Sequence, residues 1–128
     1  MIIEILNFEN RIQGYRTRVK ELHFAANKRS IHEIMDDFGS ALADFEDNIM
    51  EDAQAIHGQY TPGEINPVLP KSLDSEGILK EIRADLINMK DFFESQPMYT
   101  GCLNELEDFF HVVNQNIYLV KLSTRDDD

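Results

Sequence analysis

The stretch from Ser30 to His57, SIHEIMDDFGSALADFEDNIMEDAQAIH, constrains the fold more than any other. Ile31, Ile34, Met35, Phe38, Leu42, Phe45, Ile49 and Ile56 recur at the three-and-four spacing of a single helix face. On a wheel advancing about 100° per residue, these apolar side chains fill one arc. His32, Asp36, Asp47 and Glu51 fall together on a different arc. The stretch therefore reads as a long amphipathic helix whose candidate ligands point away from its own core-facing side.

Repeats of the same kind place three more helices. Residues 2–26 carry Ile5, Phe8, Ile12, Tyr15, Val19, Leu22 and Ala26 on one stripe, with His23 one residue off it and Gly14 only a slight weakness. Asn27 to Ser30 is a tight connection, and Ser30 with Glu33 has the spacing of a capping box opening a helix over 30–57. His57 and the following Gly58 mark its end. From Gly58 to Ser72 the chain reads GQYTPGEINPVLPKS, where three prolines and two glycines interrupt any helix. A connection this long can run the length of a bundle, and Val68 and Leu69 are expected to pin it. Ile78, Leu79, Ile82, Leu86, Met89 and Phe93 predict a helix over 75–95, ended by Pro97. Leu103, Leu106, Phe110, Val113, Ile117 and Val120 predict a last helix over 100–122, with His111 at the surface. The charged tail 123–128 is expected to be disordered. The fold class is all-α, a four-helix bundle, and 128 residues suit one domain.

Charge and composition exclude several functions. A formal net charge of −12 opposes binding to a phosphate backbone, so nucleic acid is not an expected partner. No apolar run is long enough to span a membrane, and no secretion signal opens the chain, which together predict a soluble, cytoplasmic protein. The lone Cys102 cannot form an internal disulfide and reads as a small residue near a helix start. The chain has no phosphate-cradling glycine loop, no cysteine pair for zinc and no nucleophile with an evident base.

The polar arc of the second helix is what remains. Gly39, Ser40 and Ala43 lie between its two ends and would let a second backbone approach. If an identical helix crosses antiparallel near residues 41 and 42, His32 and Asp36 of one chain meet Asp47 and Glu51 of its mate, twice per dimer. Imidazole and carboxylates gathered in this way suit a borderline divalent first-row metal, iron above all. Spacing alone favours a simpler reading, in which the acidic residues are the solvated face of an amphipathic helix.

The residues from His23 to Glu51 resemble the ferroxidase region of Dps mini-ferritins, members of the ferritin-like superfamily. His32-x3-Asp36, the eleven-residue step to Asp47 and Asp47-x3-Glu51 match that family's pattern. His23 corresponds to its first-helix histidine, although it precedes His32 by nine residues where the family usually has twelve. Phe24 stands where the family commonly has tryptophan. The resemblance implies a ferritin-like bundle with a long crossover between the second and third helices, and a non-haem di-iron site. Its ligands would be His23, His32 and Asp36 of one subunit with Asp47 and Glu51 of another. It further implies oxidation of Fe(II) by hydrogen peroxide or dioxygen, a two-fold homodimer through the second helix, and a dodecameric shell that stores the product. The family's DNA binding is not expected here, because the chain begins its first helix almost at once. The competing expectation is a non-catalytic helical oligomerisation or interaction protein, which the short link after His23 and the missing tryptophan favour.

Overall fold

The computed structural model describes residues 1–125, and every regular element in them is helical. Helix α1 spans Ile3–Ala25, α2 Arg29–His57, α3 Ser75–Glu94 and α4 Thr100–Arg125, with one short 3-10 turn at Pro97–Tyr99. Helix α1 packs on α2 and α3, and α4 packs on the same two, so α2 and α3 stand diagonally across the bundle. Aromatic rings close the centre: Phe8 of α1 meets Phe45 of α2 and Phe93 of α3 edge-on at 6.3 Å each, and Phe45 stacks on Phe109 of α4 at 4.3 Å. No helix among the described residues is long and apolar enough to cross a membrane.

The boundaries follow local chemistry. Asp74 caps α3 by accepting from the Gly77 amide at 2.6 Å. Gly58 ends α2 at φ 91°, a left-handed conformation open to glycine, while its amide donates to the Gln54 carbonyl. The capping box expected at Ser30 and Glu33 does not form. Helix α2 begins one residue earlier, Glu33 pairs instead with Arg29 at 2.9 Å, and the Ser30 hydroxyl bonds that of Ser123. The same Ser123 corrects the expected disordered tail at 123–128. Buried against α2, and with its carbonyl accepting from the Lys28 ammonium, it carries α4 on through Arg125. Residues 126–128 lie outside the described residues.

Residues 58–74 join α2 to α3 without helix, and their course fixes the direction of α3. The Asn66 amide donates to the Asn10 side chain and the Val68 amide to the Asn10 carbonyl, at 2.8 and 2.9 Å. Farther on, Arg18 donates to the carbonyls of Pro70 and Ser72. The segment thus runs alongside α1 from Asn10 to Arg18, and Glu81 of α3 then receives the amides of Lys71 and Ser72. Helix α3 consequently descends parallel to α2. Val68 and Leu69 do not pin the segment through their side chains, which are more than half exposed. The backbone does so, passing so close to α1 that a Cβ on Gly14 would lie 1.7 Å from the Val68 carbonyl oxygen. One charged cluster ties α1 to α3 beneath it: Arg11 forks onto both oxygens of buried Asp85 at 2.7 and 2.9 Å, and the Tyr15 hydroxyl donates to the same carboxylate.

Gly14→Ala should therefore lower the unfolding free energy by about 2–3 kcal/mol, the cost of forcing an overpacked contact apart. Gly39→Ala is the comparison, because its Cβ would meet Val19 Cγ1 at an ordinary 3.6 Å. Urea denaturation of the two variants checks this, and equal stabilities would show that the crossing segment yields at no cost.

Candidate metal centre

His23 ends α1 and His32 opens α2, so the short turn between the helices sets the two rings face to face, with centroids 3.9 Å apart. Each ring bonds the other residue's backbone: His23 Nδ1 donates to the His32 carbonyl at 3.0 Å, and His32 Nδ1 donates to the His23 carbonyl at 2.8 Å. Carbonyls only accept, so both rings carry their proton on Nδ1. In the neutral form this leaves the Nε2 lone pairs as the ligating atoms, the arrangement that commonly orients metal-binding histidines.

Two hollows lie along the groove between α1 and α2, with Gln13 and Arg16 lining both. The first, about 610 Å³, is bounded by Lys20, His23, Phe24, Asp36, Gly39 and Ala43 among others. The second, about 440 Å³, is bounded by Asp47, Glu51, Met50, Gln54, Tyr60 and Ile65 together with Glu9 and Glu46. The expected ligands are thus divided. His23 and Asp36 face the first hollow with His32 stacked beside them, and Asp47 and Glu51 face the second. Asp36 and Asp47 stand eleven residues apart on α2, roughly 16 Å along a helix. Among the described residues, no three His, Cys, Asp or Glu side chains of one protomer gather closely enough to hold a metal ion.

Sequence reasoning missed the buried floor of the second hollow. Glu9 and Glu46 are almost wholly enclosed. Gln13 Nε2 donates to both, at 3.2 and 2.6 Å, and Arg16 reaches Glu46 at 2.6 Å. Burial, and then the neighbouring Glu46 carboxylate, push the Glu9 carboxyl up to about 9, against weaker lowering by Gln13 and Arg16. Burial and the charges of Glu9, Glu64 and Glu46 also raise the Tyr60 phenol, which donates to Met50 Sδ. A signal for both acids was present: Glu9 sits four residues after Ile5 and three before Ile12, and Glu46 sits likewise between Leu42 and Ile49, so each falls on a core-facing stripe.

The other singled-out residues are structural. His57 Nε2 and the Tyr99 hydroxyl share a hydrogen bond of 2.8 Å at the foot of the bundle. His111 is exposed. Cys102 is fully buried, and burial pushes its thiol up to about 11, which leaves little thiolate at neutral pH. No family model, no curated protein and no solved structure matches this chain.

Glu9 gives the fold a pH dependence of definite sign. Its carboxyl holds a proton to about pH 9 when folded but only to about 4.5 when unfolded. The folded state therefore binds more protons between those values, and stability falls as pH rises across them. Glu9→Gln should remove that decline and be more stable than the parent at pH 9 by at least about 1 kcal/mol, a typical cost of a poorly compensated buried polar group. Urea midpoints at pH 6 and pH 9 test this, and a difference between the two proteins that does not vary with pH would refute it.

Proposed function

We propose that the chain is a ferritin-like iron protein that oxidises Fe(II) at a site shared between two copies and retains the ferric product. The observation that carries this reading is the division of the ligand set. Paired histidines with free Nε2 atoms and Asp36 lie at one end of the α2 polar face, and Asp47 with Glu51 at the other, too far apart for a single ion. A two-fold crossing of α2 near residues 41 and 42 brings opposite ends together and completes two sites at once. Gly39, Ser40 and Ala43, at the middle of that face, offer little bulk against such an approach. The diagonal placement of α2 and α3, joined by a segment that runs alongside α1 from Asn10 to Arg18, supports the ferritin-like connectivity of the proposal.

Within the shared site each residue has a distinct task. The histidines supply neutral nitrogen ligands whose orientation the Nδ1 bonds hold, and the carboxylates offset the charge of two Fe(II) and favour the more highly charged product. Each hydrogen peroxide takes one electron from each of two Fe(II) and, with two protons, leaves as two waters. The second hollow, with Glu46, Asp47 and Glu51 against Arg16 alone, favours cations at the carboxylate half of the site. Assembly of such dimers into a closed shell would hold the product as mineral.

The test mixes two inactive chains. One carries His32→Ala and Asp36→Ala, the other Asp47→Ala and Glu51→Ala. Each alone should lose rapid peroxide-dependent oxidation of anaerobically loaded Fe(II) by tenfold or more. Co-assembled in equal amounts, half the dimers are mixed and each holds one intact site, so about a quarter of the parent activity should return. No recovery, with mixed dimers seen by native mass spectrometry, would return these residues to a solvated helix face.

A further inference from the structure

Phe24 is the most exposed aromatic ring of the chain's first helix, 71% accessible at the rim of the first hollow, where the Lys20 ammonium lies 5.3 Å from its centre. Among the described residues only Lys20 and the His23 ring, its centroid 5.4 Å away, lie against it, so most of the ring is open to a partner. We infer that a second copy of this chain covers it: Phe24 of each copy seats in the second hollow of the other. The inference rests on the two-fold contact proposed above and adds the residues that fix it.

Register supports the placement. Helices α1 and α2 run antiparallel with Glu9 level with Glu46 and His23 level with His32, so Phe24 is level with Ile31 of its own α2. A crossing that sets Asp36 against the mate's Asp47 and His32 against its Glu51 sets Ile31, and with it Phe24, against the mate's Asp52. That position lies between Met50 and Gln54, which line the second hollow with Tyr60 and Ile65. The hollow, about 440 Å³, has room for a phenyl ring and offers it a thioether, an aromatic face and an aliphatic side chain. Charge agrees with shape. The first hollow bears Arg16 and Lys20 against Glu21 and Asp36, whereas the second bears Glu46, Asp47 and Glu51 against Arg16. Pairing first with second therefore sets Lys20 beside the mate's Asp47 and Glu51. Pairing second with second would instead set Glu46, Asp47 and Glu51 against their own copies with no lysine between them, in a chain of net charge −12.

The chain contains no tryptophan, so Phe24→Trp installs a unique reporter that preserves an aromatic ring. At concentrations where sedimentation gives the dimer mass, its emission should be blue-shifted, and it should move to that of water-exposed indole as the dimer dissociates. Phe24→Glu should weaken dimerisation tenfold or more. As an independent measurement, Phe24→Cys combined with Gln54→Cys should give a covalent dimer with a short bismaleimide, while either substitution alone, and the parent with its buried Cys102, should not. Within one protomer the two positions are separated by more than twenty residues of helix, roughly 34 Å, beyond the reagent's span. Water-exposed emission in the dimer together with no cross-link overturns this docking. Neither readout uses iron, so the two ideas fail separately: a docked ring in a protein without iron oxidation sinks only the ferroxidase reading, and complementation by mixed chains with an exposed ring sinks only this contact. A monomer at every concentration overturns both.

Discussion

The close approach of one backbone to another at Gly14 is the constraint on which the arrangement of this bundle depends. Helices α1 and α3 share the least side-chain packing of the neighbouring pairs, and the segment 58–74 covers their seam. It does so by main-chain bonds to Asn10 and by the reach of Arg18 to two of its carbonyls, which satisfy a run of irregular backbone that would otherwise go unpaired. Such a run can lie flat on a helix only where the helix has no side chain. Gly14 provides that bare spot in the middle of α1, at a cost in helix propensity of about 1 kcal/mol that the crossing offsets. Because the segment returns to the start of α2 before α3 begins, α2 is left with α1 and α4 as neighbours, and its polar face remains open on the α1 side.

Buried acids on the two flanks of α1 act differently. Asp85 is met by the Arg11 fork and the Tyr15 hydroxyl, so the α1–α3 seam has a fully partnered polar anchor, and burial beside that carboxylate pushes the Tyr15 phenol well above its usual range. On the α2 side, Glu9 accepts from the Gln13 amide and shares a hydrogen bond with Glu46, while Arg16 pairs with Glu46. A carboxyl in that position keeps its proton, the less costly state when desolvation and a neighbouring acid act together. The wall between α1 and α2 thus holds a protonated acid beside a charged pair, and it is the wall that contains both hollows.

Periodicity made the four helices legible, since Ile5, Phe8, Ile12, Tyr15 and Val19, and likewise Ile78 through Phe93, are buried as their spacing requires. It failed where a long-range partner outweighs local preference. Ser30 has the spacing of a cap, yet its hydroxyl goes to Ser123, ninety-three residues away, and that bond also holds in helix a C-terminal segment whose composition suggests disorder. The role of Gly14 was equally hidden, because nothing local distinguishes a glycine tolerated in a helix from one another strand of chain requires. At the site, the sequence told which side chains share the α2 polar face. It could not tell that the two histidines would clasp each other's carbonyls, a product of the short turn between α1 and α2, nor that Glu9 and Glu46 would be enclosed, because a stripe of apolar residues draws attention from the acids set within it.

The rigidity of α2 makes the proposed chemistry inseparable from assembly. A straight helix holds Asp36 and Asp47 roughly 16 Å apart regardless of solvent or ligand, since its length is set by its own hydrogen bonds. No rotamer change closes that distance, so on the proposed reading a single protomer presents two half-sets, His23, His32 and Asp36 at one end and Asp47 and Glu51 at the other. A monomer in this form would bind iron weakly at either end and have no place where two ions share carboxylates. On that reading, only reciprocal pairing adds Asp47 and Glu51 to the histidines and Asp36, and it completes both sites or neither. On the proposed reading, iron oxidation is therefore gated by association: at concentrations where the dimer dissociates, activity should fall with the square of protein concentration while helix content stays constant.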